Sequence, residues 1–169
     1  MKNYQIEIKW AVAFVVMTLL WMTAEKWLGL HSQHIEQHVI YTNLIAIPAI
    51  AIYVFALNDK KNNYYQGRMT YTQGFWCGFL ITAIVTVLSP LTQYITSTLI
   101  TPEYFPNAIA YSVKTGELTP EQAEGYFNLK NYIKQGLIGA PVMGLITTVI
   151  VAFFTRSKSS PSVGLKPKD

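Results

Sequence analysis

The three histidines of this 169-residue chain lie together in one short polar stretch, HSQHIEQH. His31, His34 and His38 are spaced at i, i+3 and i+7, so a helix would place them within about 60° of one another at about 100° per residue. Imidazole binds zinc, copper and nickel, and the i, i+4 pair of His34 and His38 suits such an ion. The spacing therefore predicts a candidate metal site formed by His31, His34 and His38.

Two other interpretations of the same stretch remain open. Imidazole changes its charge within the physiological pH range, so three histidines could instead sense acid. Alternatively, the stretch is simply a polar connection between apolar segments, in which histidine serves as well as glutamine. Glu36 would point to the opposite side of a helix from the histidines, so a straight helix does not add it to their site.

Other residues that could do chemistry are few. Cys77 is the only cysteine, which excludes an intramolecular disulfide, and the sequence has no Gly-rich phosphate loop, HExxH, GxSxG or metal-type cysteine pair. No ionisable residue lies deep within an apolar segment, where proton-coupled carriers and intramembrane enzymes use one. We therefore expect Cys77 to pack in the interior, and predict no catalytic residue, no cofactor and a non-enzymatic protein.

The elements that must position the histidines are long apolar segments. Charged residues make up only 13% of the chain, against about 25% in soluble domains. A helix of about 20 apolar residues crosses a bilayer. Four segments meet that requirement, at residues 8–29, 39–57, 74–99 and 136–155. The predicted fold is an all-α polytopic membrane protein with four transmembrane helices in one domain, residues 1–156, followed by a disordered basic cytoplasmic tail, residues 157–169.

The distribution of lysine and arginine gives these helices an orientation. With four crossings, nine of the 13 basic residues lie on the side of the two termini and four lie on the other side. The positive-inside rule then places both termini in the cytoplasm and the histidine loop outside. The net charge of +4 forms no nucleic-acid-binding motif. The lipid bilayer, and no nucleic acid, is the expected partner of this multi-pass protein.

The longest connection, residues 101–135, contains a helix start in the sequence TPEQ. Thr119 would cap the helix, Pro120 would occupy its first position and Gln122 would complete a capping box. Apolar residues then recur at helical spacing. We predict an extracytoplasmic amphipathic helix before the fourth span, lying near the membrane surface. This helix either ends before the fourth span or continues into it. A lid over a binding cavity is the alternative.

Small residues form two stripes on the third and fourth spans. Helices in lipid associate through close packing, which small residues permit. The stripes predict either that the third span packs on the fourth or that one stripe is the face of a homodimer. A homo-oligomer or a membrane-protein partner is thus expected. The residues are Gly74, Gly78, Gly136, Ala140 and Gly144.

Several motifs also carry a resemblance to a known family. They are GFWCGF around Gly74 and Gly78, then Tyr94 and Ile95, and TPEYF at residues 101–105. With the four spans and the long connection before the last one, the chain resembles an uncharacterised family of small four-span bacterial inner-membrane proteins, catalogued as a domain of unknown function. The resemblance implies the bacterial cytoplasmic membrane and brings no activity or site residue.

Two functions follow from the sequence as expectations. The size of the chain, the small-residue stripes and the missing ionisable groups inside the spans favour an accessory or interaction protein of the inner membrane. The alternative is a small transporter, or a metal- or pH-responsive membrane protein, that uses the external histidine loop.

Overall fold

A computed structural model describes residues 4–157, and all regular structure in this range is helical. Short non-α turns join α2 to α3, at Asn43–Ile45, and extend α3 and α4, at Lys60–Tyr64 and Thr96–Ile100. The prediction of an all-α fold with four helices able to span a membrane is confirmed. The helices are α1 (Gln5–Trp27), α2 (Ile35–Thr42), α3 (Ala46–Asp59), α4 (Tyr71–Ile95), α5 (Tyr104–Lys114), α6 (Pro120–Tyr126) and α7 (Leu129–Thr155).

Four long helical segments are apolar enough to cross a membrane, namely Gln5–Trp27, Ile35–Tyr64, Tyr71–Ile100 and Leu129–Thr155. The second begins earlier than the predicted residue 39, so that His38 lies within a helix rather than in a loop. The fourth begins well before residue 136, because the Asn128 side chain accepts a hydrogen bond from the backbone of Asn131 and caps it. All of the predicted basic tail except residue 157 lies outside the described residues.

The connection between the third and fourth segments contains two helices, α5 and α6. The predicted capping box is confirmed: Thr119 accepts from the backbone of Gln122, whose side chain accepts from the backbone of Thr119. α6 ends at Tyr126, so it does not run on into α7. Helix α5 was not predicted from the sequence. Its Pro106 lies in the first turn, where a helix needs no N–H donor, so the proline does not break it.

The hydrophobic core lies in the half of the bundle that is nearer the two termini. α4 packs mainly on α7, and α1 packs on α3 and α4. Cys77 is buried in this core, in agreement with a packing function. In the other half, a cavity of about 240 Å³ separates parts of α1, α4 and α7. The buried core residues are Ala11, Tyr53, Ala56, Leu57, Met69, Cys77, Ile81, Val85, Val151 and Ala152.

The small residues of α4 and α7 differ in what they contact. A Cβ atom on Gly78 would lie 2.6 Å from the Thr148 side chain, and one on Gly144 would lie 2.5 Å from the Thr82 side chain. Only glycine permits such close approach. A Cβ on Gly74 would meet the flexible end of Met69 at 3.2 Å and Ala152 of α7 at 3.4 Å, so its contact with α7 itself is ordinary.

The remaining two members of the stripes line a cavity and do not lie in the closest part of the α4–α7 contact. Gly136 has its nearest neighbour, Ser89, at 3.7 Å, and both Gly136 and Ala140 line the 240 Å³ cavity. The close α4–α7 contact is thus concentrated around Gly78 and Gly144.

Candidate metal centre

Glu25, His31 and His38 converge at the end of the bundle opposite the termini. Oε2 of Glu25 lies 3.0 Å from Nε2 of His31 and 3.5 Å from Nε2 of His38. One donor atom from each of the three residues lies within 4.8 Å of the others. Their side chains are only 3%, 6% and 16% exposed, in that order. We call these three residues the His–Glu cluster.

The spacing of the donor atoms suits a small divalent ion. Zinc binds imidazole nitrogen and carboxylate oxygen at about 2.0–2.1 Å, so two ligands of a tetrahedral site lie about 3.3 Å apart. The separations of 3.0 and 3.5 Å lie within a few tenths of an ångström of that value. Two imidazoles and one carboxylate form a donor set for zinc, copper, nickel or iron(II). The His–Glu cluster can therefore hold a transition-metal ion with small side-chain movements.

A helix terminus brings His31 back onto Glu25. α1 ends in a Schellman motif: the backbone N–H of Leu30 bonds to the carbonyl of Glu25, and the N–H of Gly29 bonds to the carbonyl of Lys26. Gly29 has φ +75°, a conformation that glycine adopts without strain. The chain therefore reverses direction just after α1, and the side chain of His31 reaches back to the carboxylate of Glu25.

Trp21 orients the Glu25 carboxylate from inside α1. Its indole Nε1 donates to Oε1 of Glu25 at 2.6 Å, across one helical turn. That bond occupies one carboxylate oxygen and leaves Oε2 directed at both histidines. Outer hydrogen bonds of this kind set the orientation of metal ligands.

His34 does not join the cluster. Its side chain is 53% exposed, and its Nδ1 lies 3.9 Å from Glu36 at the surface. Residues 31–34 form a turn and α2 starts only at Ile35, so the helical face expected for the three histidines does not form. Sequence reasoning did not include Glu25 among the candidate ligands, although it lies within the first predicted span. The signal was present: a carboxylate near the end of an apolar helix, followed by Gly29 and a histidine.

Helix α5 covers the His–Glu cluster. The ring of Tyr104 packs against both imidazoles, with centroid distances of 5.2 Å to His31 and 5.0 Å to His38. Its hydroxyl lies 3.1 Å from that of Tyr132 on α7. Burial raises the pKa of Tyr104, so its phenol is neutral at physiological pH. Asn107, one turn along α5, donates to the backbone carbonyl of His31 at 2.8 Å.

A cavity of about 190 Å³ adjoins the cluster and leaves space for a further ligand. Gln93, Thr96 and Thr101 line it with amide and hydroxyl groups, beside His31 and His38. This volume exceeds the roughly 30 Å³ share of one water molecule several times. An ion held by the three side chains would thus keep an open coordination position facing this cavity, in which a few polar groups lie among apolar surface.

The electrostatics of the cluster favour a cation. In the described part of the chain the carboxylate of Glu25 has no lysine or arginine partner among its ion pairs, which are to the two histidines. Nδ1 of buried His31 has no hydrogen-bond partner among these residues. A carboxylate oxygen only accepts, so without an ion His31 donates its Nε2 proton to Oε2 of Glu25 at 3.0 Å. An ion could replace that proton if His31 carried its N–H on Nδ1 instead. An ion would then meet one carboxylate oxygen and two imidazole nitrogens.

The comparisons with known proteins identify a family but no characterised relative. Residues 9–157 match the model of a family described as protein of unknown function (DUF4199). No curated protein and no solved structure matches the chain. The match covers all four membrane-capable helical segments almost completely, together with every residue of the His–Glu cluster. The chain therefore belongs to the DUF4199 family.

Proposed function

We propose that this chain is a non-enzymatic, metal-responsive protein of the bacterial cytoplasmic membrane that binds one divalent transition-metal ion through Glu25, His31 and His38. The observation that carries this proposal is the convergence of two buried imidazoles on one buried carboxylate oxygen. It favours the metal-responsive alternative over the general accessory function that the sequence alone suggested.

The burial of these groups argues against a merely polar connection. Polar residues that only mark the boundary between two helices remain in water. Burying ionisable groups costs several kcal/mol (order of magnitude) unless partners compensate for it. Glu25 and His31 are nearly inaccessible to solvent, whereas His34, in the same stretch, is exposed. Only two of the three histidines are thus withdrawn from water, and both face the same carboxylate.

The location of the cluster follows from the orientation of the bundle. The bias of basic residues toward the side of the termini supports cytoplasmic termini and an extracytoplasmic His–Glu cluster. An ion there would connect α1, which carries Glu25, to α2, which carries His38. Tyr104 and Asn107 extend this connection to α5. Metal occupancy would thus set the rigidity of the outer surface, where a membrane-protein partner or a second copy of the chain would bind.

Zinc titration of the purified full-length protein in detergent tests this proposal. We expect one zinc ion per chain by calorimetry and a rise in the thermal unfolding temperature. Glu25→Gln and His38→Ala should each lower the zinc affinity by about 100-fold or more, because each removes one of three ligands. His34→Ala is the matched control, since it removes an exposed histidine of the same stretch, and it should bind zinc like the unaltered protein.

Two results would contradict the proposal. One is a folded wild-type protein, judged by its circular dichroism, that shows no zinc binding at micromolar concentrations. The other is an equal loss of affinity in the His34→Ala and His38→Ala variants, which would indicate surface binding to histidine in general. Circular dichroism of each variant separates a lost ligand from a lost fold.

A further inference from the structure

A second buried ionic group lies at the opposite end of the bundle. Nζ of Lys60, at the end of α3, lies 2.9 Å and 3.2 Å from the two carboxylate oxygens of Glu7 on α1. The two side chains are only 6% and 3% exposed. The ammonium group also lies 3.8 Å from the centre of the Tyr64 ring. The ammonium group of Lys60 and the carboxylate of Glu7 therefore lie next to each other where little water reaches them.

This ion pair forms part of the wall of a cavity of about 450 Å³. α4 contributes another wall through Thr72, Trp76 and Leu80, which follow one another at i, i+4 and i+8 and so lie on one stripe of the helix. At 1.5 Å per residue the stripe is about 12 Å long. The stripe begins with the hydroxyl of Thr72, at the first turn of α4, and continues with apolar side chains toward the middle of the span.

One lining residue of the cavity, Trp76, reaches the outer surface of the helices. Trp76 lies in an apolar span and is nevertheless 55% exposed, so its ring is on the outer surface of the helices. Tryptophan is common at the depth of lipid headgroups, where its ring contacts chains and its N–H contacts polar groups. A ligand that enters here meets charges at its polar end and apolar side chains along its tail.

We propose that this cavity binds one membrane phospholipid whose headgroup carries both a phosphate and a primary ammonium group. The ammonium would approach Glu7, the phosphate would approach Lys60 and one acyl chain would lie along Trp76 and Leu80. The Glu7–Lys60 pair has no net charge, so a headgroup with a single charge would leave one charge without compensation in a medium of low dielectric constant. A primary ammonium also provides N–H donors, which a trimethylated one lacks. This site is separate from the His–Glu cluster and does not depend on metal binding.

Native mass spectrometry of the delipidated full-length protein tests the proposal. The probes are dioleoyl phosphatidylethanolamine, phosphatidylcholine and phosphatidylglycerol, together with soluble O-phosphoethanolamine. We expect one retained phosphatidylethanolamine per chain, bound at least about tenfold more tightly than either other lipid, which is the ratio that one additional charged hydrogen bond gives. O-phosphoethanolamine should bind much more weakly because it has no chain to contact Trp76.

Variants separate the proposed site from general lipid contact. Trp76→Ala should lower the affinity for phosphatidylethanolamine, and the matched control Trp27→Ala, which removes a tryptophan that is 84% exposed at the other end of the bundle, should not. Replacing the ion pair by an uncharged pair, Glu7→Gln with Lys60→Met, should remove the preference among the three lipids.

Three outcomes would overturn the proposal. Equal retention of the three lipids would mean ordinary boundary lipid, and equal losses in the two tryptophan variants would mean the same. Binding of O-phosphoethanolamine as tight as that of the lipid would assign the cavity to a soluble zwitterion instead. Because Trp76 is exposed, its variant should fold normally and keeps the test decisive even if the double variant does not fold.

Discussion

Thr148 of α7 lies directly against Gly78 of α4, so closely that a methyl group on Gly78 would sit 2.6 Å from the threonine side chain. One turn away the two residue types are exchanged between the helices, because there Thr82 of α4 lies against Gly144 of α7. Because the two helices are antiparallel, each supplies one glycine and one threonine to the same contact. Close packing of this kind replaces the hydrophobic driving force that lipid does not provide.

The first prediction concerns the cost of filling this contact. Gly144→Ala should lower the free energy of unfolding by about 1–3 kcal/mol, because the added methyl group has no space beside Thr82. Gly139→Ala, on the same helix, is the control: its Cβ would meet nothing within 4 Å, so it should leave stability unchanged or raise it by up to about 1 kcal/mol. Unfolding in mixed micelles, followed by circular dichroism, gives both values. Equal stabilities of the two variants would contradict the arrangement of α4 on α7.

The two threonines of this contact should respond in opposite ways to the same substitution. Oγ1 of Thr82 lies 2.7 Å from the hydroxyl of Tyr53, so Thr82→Val should cost about 1–3 kcal/mol by leaving a buried hydroxyl unpaired. Oγ1 of Thr148 has no hydrogen-bond partner among the described residues. Thr148→Val should therefore be neutral or stabilising by up to about 1 kcal/mol. The same unfolding measurement compares the variants, and a greater loss for Thr148→Val would refute this assignment.

The helices of this fold were predictable because they depend on local patterns. Long apolar segments define the four spans, and the TPEQ capping box defines the start of α6. Helix α5 has no side-chain cap at its first residue, so no local motif marks its start in the sequence. The start of α2 was set too late, since the polar residues ahead of Val39 resemble a loop.

The His–Glu cluster was only half predictable for a different reason. Spacing identified the histidines, but three residues at i, i+3 and i+7 share a face only if the helix is continuous, and here the chain turns at residues 31–34. The Schellman turn brings His31 back to Glu25, and this turn depends on the positive φ angle of Gly29. Asn107 and Tyr104 contact His31 from a helix that is more than 70 residues away in the sequence. A single sequence does not show which distant residues are in contact.

The third prediction concerns the indole that orients Glu25. Trp21→Phe keeps an aromatic ring in place but removes the 2.6 Å hydrogen bond to Oε1. We expect the zinc affinity to fall by about 10-fold or more, as for other outer-shell partners of metal ligands, with the number of bound ions unchanged. Trp27→Phe removes an exposed indole near the same helix end and should bind zinc normally. Unaltered affinity in the Trp21 variant would show that this hydrogen bond does not orient the carboxylate toward an ion.

The fourth prediction tests the orientation of the bundle by labelling with a membrane-impermeant maleimide. The native Cys77 is buried and should not react, so each engineered cysteine reports alone. Ser32→Cys, exposed beside the His–Glu cluster, should be labelled in whole cells, or in spheroplasts where an outer membrane excludes the reagent. Asn62→Cys, exposed at the end of the second helical segment nearer the termini, should react only after lysis, because that side carries most of the basic residues. The reverse pattern would place the His–Glu cluster in the cytoplasm, where its ion would come from the cytoplasmic metal pool.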